Sequence, residues 1–221
     1  MRANPPSEPG LRGVALRAGL DALALPTTDA AVQQLLAYLD LLEKWNRVYN
    51  LSAVRDSQQA VHQHLLDCLA ALPALDRQLR QSDAKLLDVG SGGGLPGVVL
   101  AIMRPDWSVN CVDAVAKKTS FVRHVAAELA VKNLRAEHGR VEALQAQPSD
   151  VVMCRAFASL AGFTALTRRH LAPEGCWMAM KGRQPDVEIA ALPGDVEVFH
   201  VEHLRVPGLL AERCLVWMRP K

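Results

Sequence analysis

Residues 86–97 read LLDVGSGGGLPG. A short apolar run, Leu86-Leu87, enters Asp88-Val89, and glycines then occupy positions 90, 92, 93, 94 and 97. A strand that turns through glycines into a helix is how α/β proteins bring bare backbone against a nucleotide-like ligand. Glycine tolerates both the left-handed turn and the close approach. Pro96 falls where the first helical turn should begin, where its missing N–H costs nothing. The stretch therefore predicts a strand, a ligand loop and a helix in that order.

Downstream of residue 85, short apolar runs alternate with helical ones. Strands are expected over 85–89, 108–112, 134–138, 150–154 and 176–181, with helices over 96–103, 116–129 and 160–170 between them. Alternation of this kind predicts a mostly parallel, doubly wound sheet. Residues 195–206 and 213–218 are two further β-like runs joined only by 207–212. That link is too short for a parallel crossover, so the pair is expected to be an antiparallel hairpin. Five parallel strands plus such a hairpin resemble the seven-stranded, Rossmann-like sheet of class I methyltransferases.

Upstream, the pattern is helical. Residues 29–49 place Val32, Leu35, Leu36, Leu39, Leu42, Trp45 and Tyr49 on one helix face, with Thr28 able to cap its start. A turn is expected over 50–55. Asp56-Ser57-Gln58-Gln59 resembles a capping box for a further helix lined by Val61, Leu65, Cys68, Leu69 and Leu72 and ended by Pro73. Residues 1–10 carry three prolines and are expected to be mobile, and 78–83 reads as a polar linker. The expected division is a helical extension, 1–82, and an α/β domain, 83–221.

The chain has 221 residues, half of them hydrophobic, which suits one large domain with a small accessory part. Its net charge is only +2, so contact with a nucleic acid must come from a local patch. Cys68, Cys111, Cys154, Cys176 and Cys214 are odd in number, far apart and without C-x-x-C spacing, which reads as reduced thiols and indicates neither a zinc site nor a disulfide framework. His62 and His64 with Asp67, and His200 with His203, lack a ligand set at metal spacing, so no metal is expected. The start of the chain has no apolar signal core and no run reaches membrane-spanning length, so a cytoplasmic protein without a membrane partner is expected.

Asp113 ends the second expected strand, where a carboxylate can accept both hydroxyls of a ribose or simply sit solvated at the edge. Val141-Glu142 follows the third strand, where an adenine would lie, although an acid in a first helical turn is also common. Residues 92–97 satisfy G-x-G-x-x-G literally, so a dinucleotide is a rival ligand and an NAD-dependent oxidoreductase a rival activity. Against it, the loop lies in mid-chain and the sheet consumes most of the residues beyond it. The D-V-G-x-G-x-G form is typical of S-adenosylmethionine loops.

The resemblance then becomes specific. KWNRVYNLSAVRD (44–56), HLLDCLAALPAL (64–75), LLDVGSGGGLPG (86–97), VDAVAKKTSFVRHVAAEL (112–129), GRVEAL (139–144), RAFASL (155–160) and AMKG (179–182) resemble, in order, the ribosomal RNA small subunit methyltransferase G family, also called glucose-inhibited division protein B. That resemblance implies an enzyme using S-adenosyl-L-methionine to methylate nitrogen 7 of a single guanine in 16S rRNA, free or in the small ribosomal subunit; a monomer is expected, although the sequence itself gives no oligomeric state. It implies Gly90, Leu95, Asp113, Val141, Glu142 and Arg155 as the cofactor-binding residues. Cys154 and Ala114 stand where the family often has serine.

Guanine nitrogen 7 carries a free lone pair, so no general base is required and no catalytic acid–base residue is assigned. The enzyme's task is in-line alignment of sulfur, methyl and nitrogen. In an A-form helix this edge is buried in a narrow groove, so the target should be a loop or an extruded base. Cys154 invites comparison with the nucleophile of pyrimidine C5 methyltransferases, but Met153-Cys154 lacks their Pro-Cys pairing, and buried strand cysteines are commonly inert. No N-P-P-Y type motif follows the fourth strand. Lys117, Lys118, Arg123, Lys181 and Arg183 recur near the expected cofactor face, either as a solvated surface or as an RNA-binding patch. A non-catalytic ribosome-associated protein is the alternative of another class.

Overall fold

The computed structural model describes residues 9–49, 51, 56–79, 81–157 and 159–221. The first eight residues and most of the turn expected over 50–55 lie outside them. Helix α1 (Pro9–Ala22) begins inside the segment expected to be mobile. It packs so closely on the later helical layer that a Cβ on Gly19 would stand 2.4 Å from Leu66 Cδ2. Helix α2 (Asp29–Tyr49) has the bounds its periodicity predicts, and Thr28 Oγ1 accepts the Ala31 N–H at 3.2 Å as its cap. Its apolar face buries Val32, Leu35, Leu39 and Leu42 together with Tyr38, which the spacing did not select.

Asp56 Oδ1 accepts the Gln59 N–H at 3.1 Å and so caps the next helix. That helix runs as α3 (Ser57–Ala60), a π-helical stretch (Val61–Leu66) and α4 (Asp67–Leu69). Pro73 does not end it. The chain turns at Ala70-Ala71, and Pro73 lies in the first turn of α5 (Leu72–Gln78), where a proline leaves no intrahelical bond unmade.

The α/β part follows with β1 (Lys85–Val89), α6 (Gly97–Met103), β2 (Ser108–Asp113), α7 (Ala116–Glu128), β3 (Leu134–His138), β4 (Ser149–Arg155), α8 (Leu160–Thr167), β5 (Leu171–Lys181), the short α9 (Asp186–Ala190), β6 (Val196–Leu204) and β7 (Arg213–Pro220). The seven strands form one sheet in the order β3-β2-β1-β4-β5-β7-β6. The first five are parallel, and β7 runs antiparallel to both β5 and β6. The expected hairpin is present. Cys214 stands opposite Lys181, so β7 begins at the edge where the parallel strands end.

Successive strand residues point to opposite faces. Leu86, Val109, Val151, Met178 and Leu215 therefore join one core with α6, α7 and the N-terminal helices. Leu87, Val89, Val112, Val152, Trp177 and Val216 join another beneath α8. The N-terminal helices thus cover the same sheet face as α6 and α7, and reach the carboxyl edge of the sheet. No helix of the described residues is long and apolar enough to cross a membrane.

Candidate active site at the carboxyl edge of the sheet

The loop after β1 is held from below. Gly90 N and Ser91 N donate to Val112 O on β2 at 2.8 and 3.1 Å. Asp88, fully buried, accepts the Gly97 N–H at 2.8 Å through Oδ2, tying the far end of the loop back to the strand. Burial pushes its carboxyl up to about 7, against the pull of that N–H. Gly90 has φ +71°. At Gly97 a Cβ would stand 2.4 Å from Cys111 Sγ and 2.9 Å from Asp88 Oδ2, so the helix start can approach the strands only as glycine. From α2, the buried Tyr38 hydroxyl donates to Gly93 O at 2.7 Å.

Two cavities open at this edge and share Gly90. The smaller, about 290 Å³, is lined by Val112, Asp113, Gly139, Val141, Glu142 and Phe157 among others. Asp113 Oδ2 accepts the Gly92 N–H at 3.0 Å and Oδ1 accepts the Val115 N–H at 2.9 Å. A carboxylate has about four acceptor positions, so both oxygens can still receive a diol. Val141 is buried, and its carbonyl receives a bond from His170 Nε2 at 3.0 Å. Glu142 lies beside it on a single 3₁₀ turn, exposed. An apolar wall with a carboxylate at one end suits an adenosine.

The larger cavity, about 570 Å³, extends from Gly90–Gly93 and Leu95 across the ends of β4, β5 and β7 to Arg155, Lys181 and Arg213. Its far wall comes from the helical layer through Gln63, His64 and Asp67. Arg155 Nη1 donates to Asp67 Oδ2 at 3.1 Å and to Gln63 O at 3.3 Å. Arg213 Nε donates to Asp67 Oδ1 at 2.6 Å. Burial, helped by the Arg155 charge, lowers His64 to about 4, so it is neutral.

All six residues expected at a cofactor therefore line one of these two cavities. The five expected RNA cations are less uniform. Lys181 donates twice to Glu188, at 3.0 and 2.8 Å. Lys118 Nζ lies 3.6 Å from Asp113, and Arg123 Nε is spent on Ala136 O at 2.9 Å. Lys117 Nζ lies over the Tyr49 ring, 5.9 Å from its centroid, and Arg183 is exposed. Cys154 is buried, and burial raises its thiol far above the ordinary range, so it offers no thiolate.

Sequence reading missed Asp67, Gln63 and Arg213 as site residues. Asp67 was visible only as an acid beside two histidines. Its partners lie far along the chain and are brought to it by the crossing of helix over sheet edge.

The family described as rRNA small subunit methyltransferase G matches residues 31–216. The chain is 58% identical over 214 residues to the ribosomal RNA small subunit methyltransferase G of Acidovorax sp. (strain JS42), covering 93% of this chain and 94% of that protein. It is 51% identical to the protein of that name from Polaromonas naphthalenivorans (strain CJ2), covering 97% and 98%. A solved S-adenosylmethionine-dependent methyltransferase from Aquifex aeolicus is similar with a TM-score of 0.56 at 14% identity, covering 83% of this chain and 97% of that one. One from Thiobacillus denitrificans, in complex with S-adenosyl-L-homocysteine, is similar with a TM-score of 0.53 at 14% identity, covering 79% and 98%. These two likenesses show the shared fold.

Proposed function

Because the chain belongs to the ribosomal RNA small subunit methyltransferase G family, we propose that it transfers a methyl group from S-adenosyl-L-methionine to nitrogen 7 of a single guanine in 16S rRNA. The observation that carries this reading is the pair of cavities joined at Gly90, one shaped for an adenosine and the other open towards the ends of β4, β5 and β7. The residues present fit the cofactor. Gly90 leaves bare backbone where the cavities meet, and Asp113 and Val141 offer a diol acceptor and an apolar wall.

When bound, the cofactor supplies an electrophilic methyl on a sulfonium. The protein's residues then have a task of placement. Nitrogen 7 of guanine is a free nucleophile at neutral pH, so no side chain need remove a proton. Orientation of this kind can contribute as much as ~7–11 kcal/mol. Tyr38 and Asp88 fix the loop from either side, and Asp113 fixes the ribose end. Cys154, buried and protonated, has no covalent role in this scheme. The helical layer, 1–82, serves the α/β domain, 83–221, by closing the larger cavity, and Lys117 and Arg183 are the members of the proposed RNA patch with the most freedom to meet phosphate.

The test is transfer of radiolabelled methyl to 16S rRNA that lacks the modification, with calorimetry of S-adenosylhomocysteine and NAD alongside. One methyl per rRNA on a guanine is expected, with no NAD binding. Cofactor binding without transfer to rRNA would favour a binding protein, and tight NAD binding would favour the oxidoreductase.

A further inference from the structure

Among the described residues, the larger cavity carries a charge that its walls do not balance. Asp67 is 3% exposed, and a buried carboxylate is costly unless paired. One guanidinium would neutralise it, but it holds two: Arg155 on Oδ2 and Arg213 on Oδ1. The cluster is left with a net positive charge facing the cavity. Neutral His64 adds none, and Lys181 is already matched by Glu188.

The two arginines are not equivalent. Arg155 ends β4, next to the strand that carries the glycine loop, and also donates to Gln63 O. Arg213 begins β7, three strands from β1 and so roughly 14 Å along the sheet. Its Nε is given to Asp67 and its Nη1 to Glu212 O at 2.8 Å, while Nη2 donates to no described residue. Arg213 is thus fixed by two bonds, about a quarter exposed, with a charged donor left over. It sits at the end of the cavity away from the ribose acid Asp113.

We propose that Asp67 is a positioning residue for this arginine pair, and that Arg213, held by it, receives a phosphate of the RNA strand carrying the target base. The proposal rests on the function proposed above. It makes the helical layer part of substrate recognition, because the only acid holding both guanidiniums among the described residues comes from that layer.

The test uses the full chain as Arg213→Gln, Arg213→Lys and Asp67→Asn, with 16S rRNA as substrate and S-adenosylhomocysteine calorimetry. Arg213→Gln should raise the KM for rRNA about tenfold, the worth of one charge-assisted hydrogen bond. It should also flatten the slope of log affinity against log salt by roughly 0.7–0.9, one phosphate contact. S-adenosylhomocysteine affinity should stay within about twofold, as the cofactor does not use this donor. Arg213→Lys should restore the salt slope. Asp67→Asn should raise the KM in the same direction, and if it fails to fold the two Arg213 variants carry the test alone. Loss of S-adenosylhomocysteine affinity in Arg213→Gln would assign the donor to the cofactor's carboxylate and overturn the proposal. So would a lowered melting temperature with unchanged KM and salt slope, the sign of a structural role only. If wild type transfers no methyl to rRNA, the proposed function itself fails; if wild type is active and the variants match it, only this inference does.

Discussion

Replacing Gly90 with alanine separates folding from cofactor binding. Gly90 has φ +71°, a region that costs an L-residue roughly 1–2 kcal/mol. The new Cβ would find only Phe157 Cδ2 nearby, at 3.8 Å, which is ordinary contact. The folded protein therefore loses about 1–2 kcal/mol, or roughly 2–8 °C in Tm for a chain of this size. The ligand fares worse, because Gly90 lines both cavities where they meet. One methyl forced into a packed site costs about 1–3 kcal/mol, a roughly 5–150-fold loss of affinity. Gly90→Val, bulkier, should abolish binding. Gly94→Ala is the control: φ is +90° and its Cβ would lie 2.3 Å from Val98 Cγ2, so that variant should lose more stability than Gly90→Ala, about 2–5 kcal/mol. Thermal unfolding and S-adenosylhomocysteine calorimetry decide it. A folded Gly90→Ala that binds within about twofold of wild type would refute the reasoning, because the ligand would then not pass over this backbone.

Cys154→Ser should keep most methyl transfer; a loss of several orders of magnitude with folding and cofactor binding intact would point to a covalent pyrimidine mechanism. Tyr38→Phe removes the bond to Gly93 O and should cost about 1–3 kcal/mol of stability, read by urea unfolding; an unchanged midpoint would contradict the loop-fixing role. Asp88 is raised from 3.8 to about 7 and His64 lowered from 6.5 to about 4, so between about pH 4 and 6.5 the fold holds one extra proton on Asp88 and lacks one on His64. These slopes offset, and above that window only the Asp88 loss continues to about pH 7. Asp88→Asn should therefore gain on wild type by about 2–3 kcal/mol between pH 5 and 8 in urea titrations, whereas a constant difference would show that the carboxyl is not raised. Lys117→Ala should weaken rRNA binding and flatten its salt slope by roughly 0.7–0.9 at unchanged cofactor affinity; an unchanged slope would leave Lys117 as surface only.

The sheet was legible because its signals are local. Strand, glycine turn and helix are written in residues 86–97, and a linker of 207–212 permits only an antiparallel return. The six residues expected at a cofactor, Gly90, Leu95, Asp113, Val141, Glu142 and Arg155, came largely from the family resemblance, and the fold brings them to the linings of two adjoining cavities because strand ends converge on one edge. Pro73 misled because a proline stops one helix or starts the next with equal ease, and the turn at Ala70-Ala71 carries no glycine or proline to mark it. Tyr38 and Asp67 were opaque for a different reason. Their partners, Gly93 for the one and Arg155 and Arg213 for the other, lie 55, 88 and 146 residues away, and no local pattern announces such a pairing. The cations told the opposite lesson: Lys181 looks free in sequence and is bound to Glu188 in the fold.

The central claim is methyl transfer to one guanine of the small-subunit rRNA. Mass spectrometry of 16S rRNA from cells with and without this protein tests it most directly. A single 7-methylguanine should disappear without the protein and return with wild type but not with Gly90→Val. An rRNA methylation pattern unchanged by the protein's loss, or the loss of a methyl from a pyrimidine or an exocyclic amine instead, would contradict it.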